Sequence, residues 1–362
     1  MSPVGNPDRV IATALRTLYR NGWDDATRRY AEDAWAGHEL ASGDASGAVA
    51  ALAAMSSQMS PAPSRDRWQQ YLDPISNQLG VDHPDTLTAR HYLACWRGQA
   101  GDPAGAAGAL TELLPIRERI LGTEHPDTLR TRSSLAYSRG LAGDMTGAAG
   151  AVAELLPIQE RILGAEHPDT LTTRNNLAHS LGAAGDLIGA AEAFAELLAI
   201  QERVLGAEDP DTLRTRGNLA YWRGAAGDPA GAAEAFAELL PIQEQLQGPE
   251  HPNTLSTHHG LACSRRQLGD PAAAAASFAE LLAIQERVLG AEHPATLATR
   301  HNLAHCQGEA GDPAGAAALL AELLAILERV LGAEHPNALT ARNNLALWTK
   351  MAAQKTEDTT DI

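Results

Sequence analysis

The chain has 362 residues, a formal net charge of −17 and only two lysines, Lys350 and Lys355. An acidic chain so poor in lysine is badly suited to the phosphate backbone, so we expect no nucleic-acid partner. No segment is apolar for long enough to predict a signal peptide or a membrane span. The three cysteines, Cys95, Cys263 and Cys306, form no disulfide framework and indicate a cytoplasmic protein.

The first 80 residues predict helices without an obvious repeat. Residues 1–6 are expected to be disordered. Apolar residues at helical spacing then predict a helix from Pro7 to Asn21, with Gly22 as its stop. Further helices are predicted to about Ser42, to about Gln58 and, after a loop over residues 60–63, from Arg65 to Leu79. We interpret residues 7–80 as an N-terminal helical cap of two degenerate helix pairs.

From residue 81 onwards the chain repeats every 42 residues without an insertion or deletion. The string His-Pro-Asp-Thr-Leu, or a close variant, recurs along the chain with its first residue at His83, His125, His167, Asp209, His251, His293 and His335. A fixed period of this length indicates a solenoid in which each repeat contacts only its neighbours. The histidine, or Asp209 in its place, is predicted to cap a helix.

Each repeat predicts two helices joined by tight turns. In the first repeat, Pro84 begins helix A, Gly101 ends it, Asp102 caps helix B and Gly122 ends helix B. Six such repeats are followed by one last A helix. We therefore expect residues 81–351 to form six repeats plus a capping helix, and residues 352–362 to form a disordered tail.

This pattern resembles the tetratricopeptide repeat (TPR), in the 42-residue form found in kinesin light chains. The matching framework residues are Leu177-Ala178, Gly185, Ala190, Phe194 and Leu197. The resemblance implies an all-α fold of about 17 helices, a right-handed TPR superhelical solenoid of antiparallel helix pairs. Similar proteins include bacterial TPR arrays, some standing alone and some forming the sensor part of STAND-type NTPases.

The resemblance also implies that the A helices line a groove that binds a peptide or protein segment. Asn side chains can bond a peptide backbone, Tyr offers a ring with a polar tip, and Arg could hold a carboxylate. The predicted groove residues are His91, Tyr92, Cys95, Arg130, Ser133, Ser134, Tyr137, Asn175, Asn176, His179, Arg214, Gly217, Asn218, Tyr221, His259, Gly260, Cys263, His301, Asn302, His305, Asn343, Asn344 and Leu347. An alternative is that the asparagines only join neighbouring helices.

Four groove residues raise a second possibility. His259 and Cys263 are four residues apart on one A helix, and His301 and His305 are four apart on the next, so each pair shares a helix face. Such side chains are zinc ligands in other proteins. A metal-binding accessory protein is therefore an alternative, although the pattern matches no known zinc motif and no cofactor is otherwise expected.

Two further series recur with the repeat period. Arginines recur at 90, 132, 174, 216, 300 and 342, and glutamates recur at 118, 160, 202, 244, 286 and 328. This regularity predicts structural ion pairs between helices.

No nucleotide-binding or nucleophile-elbow motif is present, so we expect a protein that is not an enzyme. The predicted function is a non-catalytic scaffold or adaptor. The alternative is a sensor module that acts with a separate NTPase or effector.

Overall fold

The computed structural model describes residues 6–56 and 60–360. Seventeen α-helices and no strand lie in these two ranges: α1 (Pro7–Asn21), α2 (Asp25–Ala41), α3 (Ala45–Ser56), α4 (Pro61–Leu79), α5 (Pro84–Gln99), α6 (Pro103–Leu121), α7 (Pro126–Leu141), α8 (Met145–Ile162), α9 (Pro168–Ala183), α10 (Leu187–Val204), α11 (Pro210–Ala225), α12 (Pro229–Leu246), α13 (Pro252–Gln267), α14 (Pro271–Val288), α15 (Pro294–Glu309), α16 (Pro313–Leu331) and α17 (Pro336–Thr360). The predicted all-α repeat fold is confirmed.

The helices form two compact units, of which one ends at Ala184 and the other begins at Gly185. In each unit a helix packs against the helix that follows it in the chain. The odd-numbered helices from α5 to α17 are the A helices, and the even-numbered helices from α6 to α16 are the B helices. Neighbouring A helices also touch, as in the pairs α5–α7 and α11–α13.

The predicted caps are present at both kinds of turn. The Nδ1 atom of His83 accepts a hydrogen bond from the Asp85 amide at 3.2 Å, and Asp209 caps α11 in the same way through its carboxylate. Asp102 caps α6, while Gly101 and Gly122 take the positive φ angles that end the preceding helices. The His-Pro histidines therefore cap helices, as the sequence predicted.

The core of the repeats is made of small and apolar side chains at fixed repeat positions. Ala190, Phe194 and Leu197 of α10 are completely buried. The position of Phe194 is also buried where it holds Leu110, Val152 or Leu320. Residues spaced three and four apart lie on one helix face, so each B helix turns this stripe towards its neighbours.

The recurring arginines and glutamates form ion pairs within each unit. Arg132 contacts Glu118 at 2.6 Å in the N-terminal unit, and Arg216 contacts Glu202 at 2.6 Å in the C-terminal unit. Where His258 replaces the arginine, it contacts Glu244 at 3.2 Å. Each pair joins the end of a B helix to the next A helix, which supports the structural interpretation.

The N-terminal cap contains a polar cluster that the sequence did not reveal. The buried carboxylate of Glu39 accepts from Arg16 Nε at 2.6 Å and from Trp35 Nε1 at 2.8 Å, and Arg16 also contacts Asp44 at 2.5 Å. Because four side chains from α1, α2 and the α2–α3 turn meet here, this cluster ties the cap together.

Two predicted boundaries differ in the structure, and a third falls outside the described residues. Asn6 is ordered as the N-cap of α1, while residues 1–5 lie outside the described residues. α4 begins at Pro61 rather than near Arg65, because amides in a first helical turn need no acceptor and prolines fit there. Part of the third predicted helix, residues 57–59, is likewise outside the described residues.

The predicted disordered tail is helical as far as the structure describes it. α17 continues past Met351 to Thr360, and Lys355 Nζ donates a hydrogen bond to the Gly311 carbonyl. No glycine or proline follows Met351, and alanine, glutamine and lysine favour a helix, so nothing ends it there. Within residues 6–56 and 60–360, no helix has the length and hydrophobicity that crossing a membrane requires.

Candidate functional site

A cavity of about 760 Å³ opens between three A helices of the C-terminal unit. We call it the α11–α15 cavity. Its walls come from α11, α13 and α15, and its floor comes from α12 and α14. Six predicted groove residues line it: Arg214, Gly217, Asn218, Tyr221, His259 and Gly260. The volume falls within the range of small-molecule and side-chain pockets.

Two glycines line this cavity. Gly217 and Gly260 occupy positions that hold larger side chains in most other repeats. A Cβ atom at residue 260 would collide with the ring of Phe236, which forms part of the floor. A Cβ at residue 217 would only touch Leu239 at 3.6 Å and Thr257 at 3.9 Å. Gly260 is therefore required by the packing of Phe236, whereas a methyl group at residue 217 would make only ordinary contacts.

The cavity lining carries buried polar atoms that have no hydrogen-bond partner within the described chain. These atoms are Oε1 of Gln243, Oε1 of Gln285 and the hydroxyl of Thr299. All three side chains are more than nine-tenths buried, and all three residues line the cavity. Unpaired buried polar atoms are costly, which makes them candidate contacts for a ligand.

Sequence reasoning missed these glutamines, although a signal was present. Gln243 follows Phe236 and Leu239 at spacings of seven and four residues, so it lies on the apolar stripe of α12. A polar residue recurs there at Gln159, Gln201 and Gln285, and all of these side chains are buried. A buried polar residue within an apolar stripe is worth examining as a candidate site residue.

In the N-terminal unit the corresponding space is filled. Tyr92 lies stacked on Trp68, with ring centroids 5.0 Å apart. His91 is buried, with its Nδ1 atom 3.4 Å from the Thr131 hydroxyl and its Nε2 atom 3.5 Å from Cys95 Sγ. Burial lowers the pKa of His91 to about 3, with the charge of Arg117 as the next cause. These residues therefore form packed structure rather than an open groove.

Arg117 occupies the repeat position of the recurring glutamines, and its side chain also fills the space that corresponds to the cavity. Its side chain is buried, and its Nη1 atom donates to the Asp127 carbonyl at 2.7 Å and to the Thr131 hydroxyl at 2.9 Å. Its Nη2 atom donates to the Thr88 hydroxyl at 3.3 Å. No carboxylate among the described residues forms an ion pair with it. The guanidinium is thus held by neutral oxygens.

The remaining predicted groove residues of the N-terminal unit differ in exposure. Tyr137 is exposed, while the buried hydroxyl of Ser133 lies 3.1 Å from the Thr173 hydroxyl. Arg130 forms ion pairs with Asp127 and Asp169. Of the predicted groove residues on α9, His179 is exposed, whereas Asn175 and Asn176 are half-buried. Ser134 on α7 is also half-buried.

The arginines that we expected to hold a ligand carboxylate already have acidic partners. Arg130 contacts Asp127 at 3.1 Å and Asp169 at 3.0 Å, and Arg214 contacts Asp211 at 2.9 Å. Helix geometry explains the Arg130–Asp127 and Arg214–Asp211 pairs, since residues three apart on one helix are neighbours, whereas Asp169 lies on the next A helix. These two arginines are therefore not free carboxylate receptors.

The histidines of the C-terminal unit contact asparagines of the next A helix. Asn302 Nδ2 lies 3.1 Å from His259 Nε2, and Asn344 Nδ2 lies 2.9 Å from His301 Nε2 and 3.1 Å from His305 Nε2. Burial lowers the pKa of all three histidines, so the neutral rings accept these bonds. The asparagines thus join neighbouring helices, as the alternative interpretation proposed.

This arrangement does not favour the metal-site alternative. His259 Nδ1 lies 3.7 Å from Cys263 Sγ, and the rings of His301 and His305 face each other at 4.9 Å. Across residues 6–56 and 60–360, however, no three His, Cys, Asp or Glu side chains group as a metal ion requires. The imidazole nitrogens bond asparagine amides instead, which explains why the four residues do not converge.

Two predicted groove residues line a second cavity, of about 660 Å³. These are Cys263 and Asn302, together with Arg266, Phe278 and Glu309. Arg266 Nε donates to Glu309 at 2.7 Å, so this cavity is closed on one side by an ion pair. At the end of the array Asn343 and Leu347 are exposed and Asn344 is half-buried.

Comparison with protein families identifies the repeat. A tetratricopeptide repeat model matches residues 175–245, 232–287 and 265–329, and a second tetratricopeptide repeat model matches residues 86–127. The chain belongs to the tetratricopeptide repeat family. No curated protein matches it in sequence.

Solved structures with similar repeats support this assignment. A Podosopora anserina protein described as a kinesin light chain with nearly identical TPR-like repeats is 31% identical, with a TM-score of 0.51; the match covers 57% of this chain and 97% of that one. BtubC (BKLC) from P. vanneervenii is 20% identical, with a TM-score of 0.52 and coverage of 64% and 92%.

A third structure shares the fold over nearly the whole chain. It is a STAND protein with a tetratricopeptide repeat sensor from Pyrococcus horikoshii, 11% identical with a TM-score of 0.70. The match covers 97% of this chain and 51% of that protein. At this identity the likeness concerns the fold alone.

Proposed function

We propose that this protein is a non-catalytic cytoplasmic scaffold that binds an extended protein segment along its A helices. The observation that carries the proposal is the α11–α15 cavity, because it lies on the face that the TPR resemblance predicts and gathers six predicted groove residues. Exposed Tyr221 and half-buried Asn218 offer the ring and the amide that suit a peptide. The three free thiols support the cytoplasmic assignment.

The charge of the chain indicates what kind of segment would bind. A net charge of −17 attracts basic partners and repels acidic ones. The two arginines that could oppose this preference, Arg130 and Arg214, are already paired with aspartates. The proposed partner segment is therefore basic or polar.

Site-specific photo-crosslinking tests this proposal. A photoreactive phenylalanine analogue would replace Tyr221 on the A-helix side, and in a control it would replace Ile188, which is 65% exposed on B helix α10. We expect a protein segment to crosslink at residue 221 but not at 188, and to lose binding in a Tyr137→Ala, Asn176→Ala, Tyr221→Ala variant. Crosslinking at 188 alone would place the interaction on the B helices and refute the proposal.

The sensor alternative stays a prediction. Its support is the shared fold with the Pyrococcus horikoshii protein, which does not extend to that protein's activity. If the segment crosslinked at Tyr221 came from an NTPase whose turnover this protein stimulates, the sensor role would be favoured over a passive scaffold.

A further inference from the structure

Each unit contains a local environment built from the same repeat positions, 168 residues apart. The Arg117 frame comprises Thr88, Tyr92, Arg117, Asp127 and Thr131. The Gln285 frame comprises Ser256, Gly260, Gln285, Ala295 and Thr299. Each frame consists of an A helix, the B helix that follows it and the next A helix.

Three oxygens hold the guanidinium in the Arg117 frame, and the same three positions supply oxygens in the Gln285 frame. The Thr88 hydroxyl corresponds to the Ser256 hydroxyl, and the Thr131 hydroxyl corresponds to the Thr299 hydroxyl. The Asp127 contact is its main-chain carbonyl, which Ala295 retains. The acceptor set is therefore preserved although the arginine is not.

Two side chains that fill the Arg117 frame are shortened in the Gln285 frame. Tyr92 is replaced by Gly260, and Arg117 is replaced by Gln285. Ser256, Gly260, Gln285, Ala295 and Thr299 all line the α11–α15 cavity. The cavity thus lies in the frame where, in the N-terminal unit, the chain buries a guanidinium of its own.

The Gln285 frame also lacks the hydrogen bonds that Arg117 provides. The hydroxyl of Thr299 and Oε1 of Gln285 are buried without a partner in the described chain, whereas Thr131 receives a bond from Arg117. A guanidinium has five N–H donors and no acceptor, so it suits a site with several unpaired oxygens. Phe236 and Leu289 on the cavity wall suit the apolar stem of such a side chain.

From this correspondence we infer that the α11–α15 cavity binds the guanidinium of an arginine side chain, supplied by the partner segment. The inference rests on the proposed function and names the residue that the segment inserts. The net charge of −17 favours a cationic group, and Arg214, which lines the cavity, has its charge balanced by Asp211.

Three small probes distinguish this inference from simpler explanations. Each would be added to the full-length protein while the backbone amides of Gly217 and Gly260 are followed by NMR. N-acetyl-argininamide carries the guanidinium. N-acetyl-citrullinamide is its neutral isostere, with an oxygen in place of one NH2 group. N-acetyl-lysinamide carries the same positive charge on a single ammonium group. We expect the arginine probe to shift both amides and to bind at least about tenfold more tightly than citrulline, since hydrogen bonds to charged groups are the stronger ones.

Variants taken from the chain's own repeats locate the site. Gln285→Arg reproduces the Arg117 frame, so its own guanidinium should occupy the oxygens and abolish binding of the arginine probe. Thr299→Val should weaken binding about threefold to tenfold by removing one acceptor. Thr215→Val is the matched control, since Thr215 is buried at the same repeat position but does not line the cavity. If Gln285→Arg does not fold, comparing the affinity of the arginine probe for Thr299→Val and for Thr215→Val still tests the inference.

Equal binding of the arginine and citrulline probes would overturn the inference, as would equal binding of the lysine probe or shifts confined to amides outside the cavity. These outcomes are separable from failure of the proposed function. If a segment crosslinks at Tyr221 but the arginine probe does not bind, the scaffold proposal stands and only the arginine assignment fails. If no segment crosslinks while the arginine probe binds, the cavity is real but the scaffold proposal fails.

Discussion

The Arg117 frame on α5–α7 and the Gln285 frame on α13–α15 have the same order of helices, the same residue spacing and the same backbone acceptor. Yet side chains fill the first frame, whereas the second lines a cavity. In the first, Tyr92 stacks on Trp68 and Arg117 is buried. In the second, Gly260 and Gln285 line a cavity of about 760 Å³. This difference indicates how a repeat array can form a site: two side chains are shorter in one repeat than at the same positions of another, while the framework residues around them stay the same.

The largest expected effect comes from emptying the filled frame. Tyr92→Ala should lower the local free energy of unfolding of α5 by about 3 kcal/mol, because a packed aromatic ring is lost and a void remains. Hydrogen exchange of the α5 amides measures this local stability. The control is Tyr137→Ala, an exposed tyrosine one repeat later, for which we expect less than about 0.5 kcal/mol. Similar losses for both would show that Tyr92 does not support its frame.

The next effect concerns the histidine that directly precedes Tyr92 or Gly260 in each frame, His91 or His259. Burial lowers the pKa of His91 from 6.5 to about 3. Because the folded pKa lies below the unfolded one, the unfolded chain binds more protons below pH 6.5, and stability present above that pH is lost as the pH falls towards 3. At pH 4.5 the loss from His91 should be about 2–3 kcal/mol.

Urea unfolding at pH 7.5 and 4.5, followed by tryptophan fluorescence, tests this difference. His91→Asn should flatten the pH dependence, since Asn175 and Asn343 occupy the same repeat position. His259→Asn should flatten it less, because His259 is only half-buried beside the cavity. Wild type and His91→Asn losing equal stability on acidification would contradict the assignment.

A smaller effect is expected from adding one methyl group to the hollow frame. Gly260→Ala should destabilise α13 by about 1–2 kcal/mol, although alanine favours helices over glycine, because its Cβ forces the Phe236 ring to move. Hydrogen exchange of the α13 amides would measure it. An increase in stability would mean that Phe236 shifts freely and that the cavity floor is not rigid.

The smallest effect has the opposite sign. Gly217→Ala should stabilise α11 by about 0.5–1 kcal/mol, since the new Cβ makes only ordinary contacts with Leu239 and Thr257 while the helix gains propensity. Hydrogen exchange of the α11 amides measures this change in stability, which can be compared directly with the change caused by Gly260→Ala. Destabilisation by both alanines would show that the two glycines do not differ in packing.

Much of the site was predictable at the level of helix faces. Six predicted groove residues line the α11–α15 cavity, because repeat register alone places them on one side of α11 and α13. Sequence reasoning did not find Gln243, Gln285 or Thr299, since their recurrence looked like framework. It also assigned carboxylate binding to Arg130 and Arg214, although each has an aspartate three residues before it; only the pairing of Arg130 with Asp169 on the next A helix depends on the tertiary structure.

By itself, the sequence determined the helices, their caps and their order. The 42-residue period places His-Pro and Gly-Asp at fixed positions, and these residues fix where each helix begins and ends. Only the tertiary structure decided which part of the A-helix face is open. Whether a shortened side chain leaves a cavity depends on what neighbouring helices place around it. The ring of Phe236 on α12 packs against Gly260 on α13, and no spacing rule along one helix contains that contact.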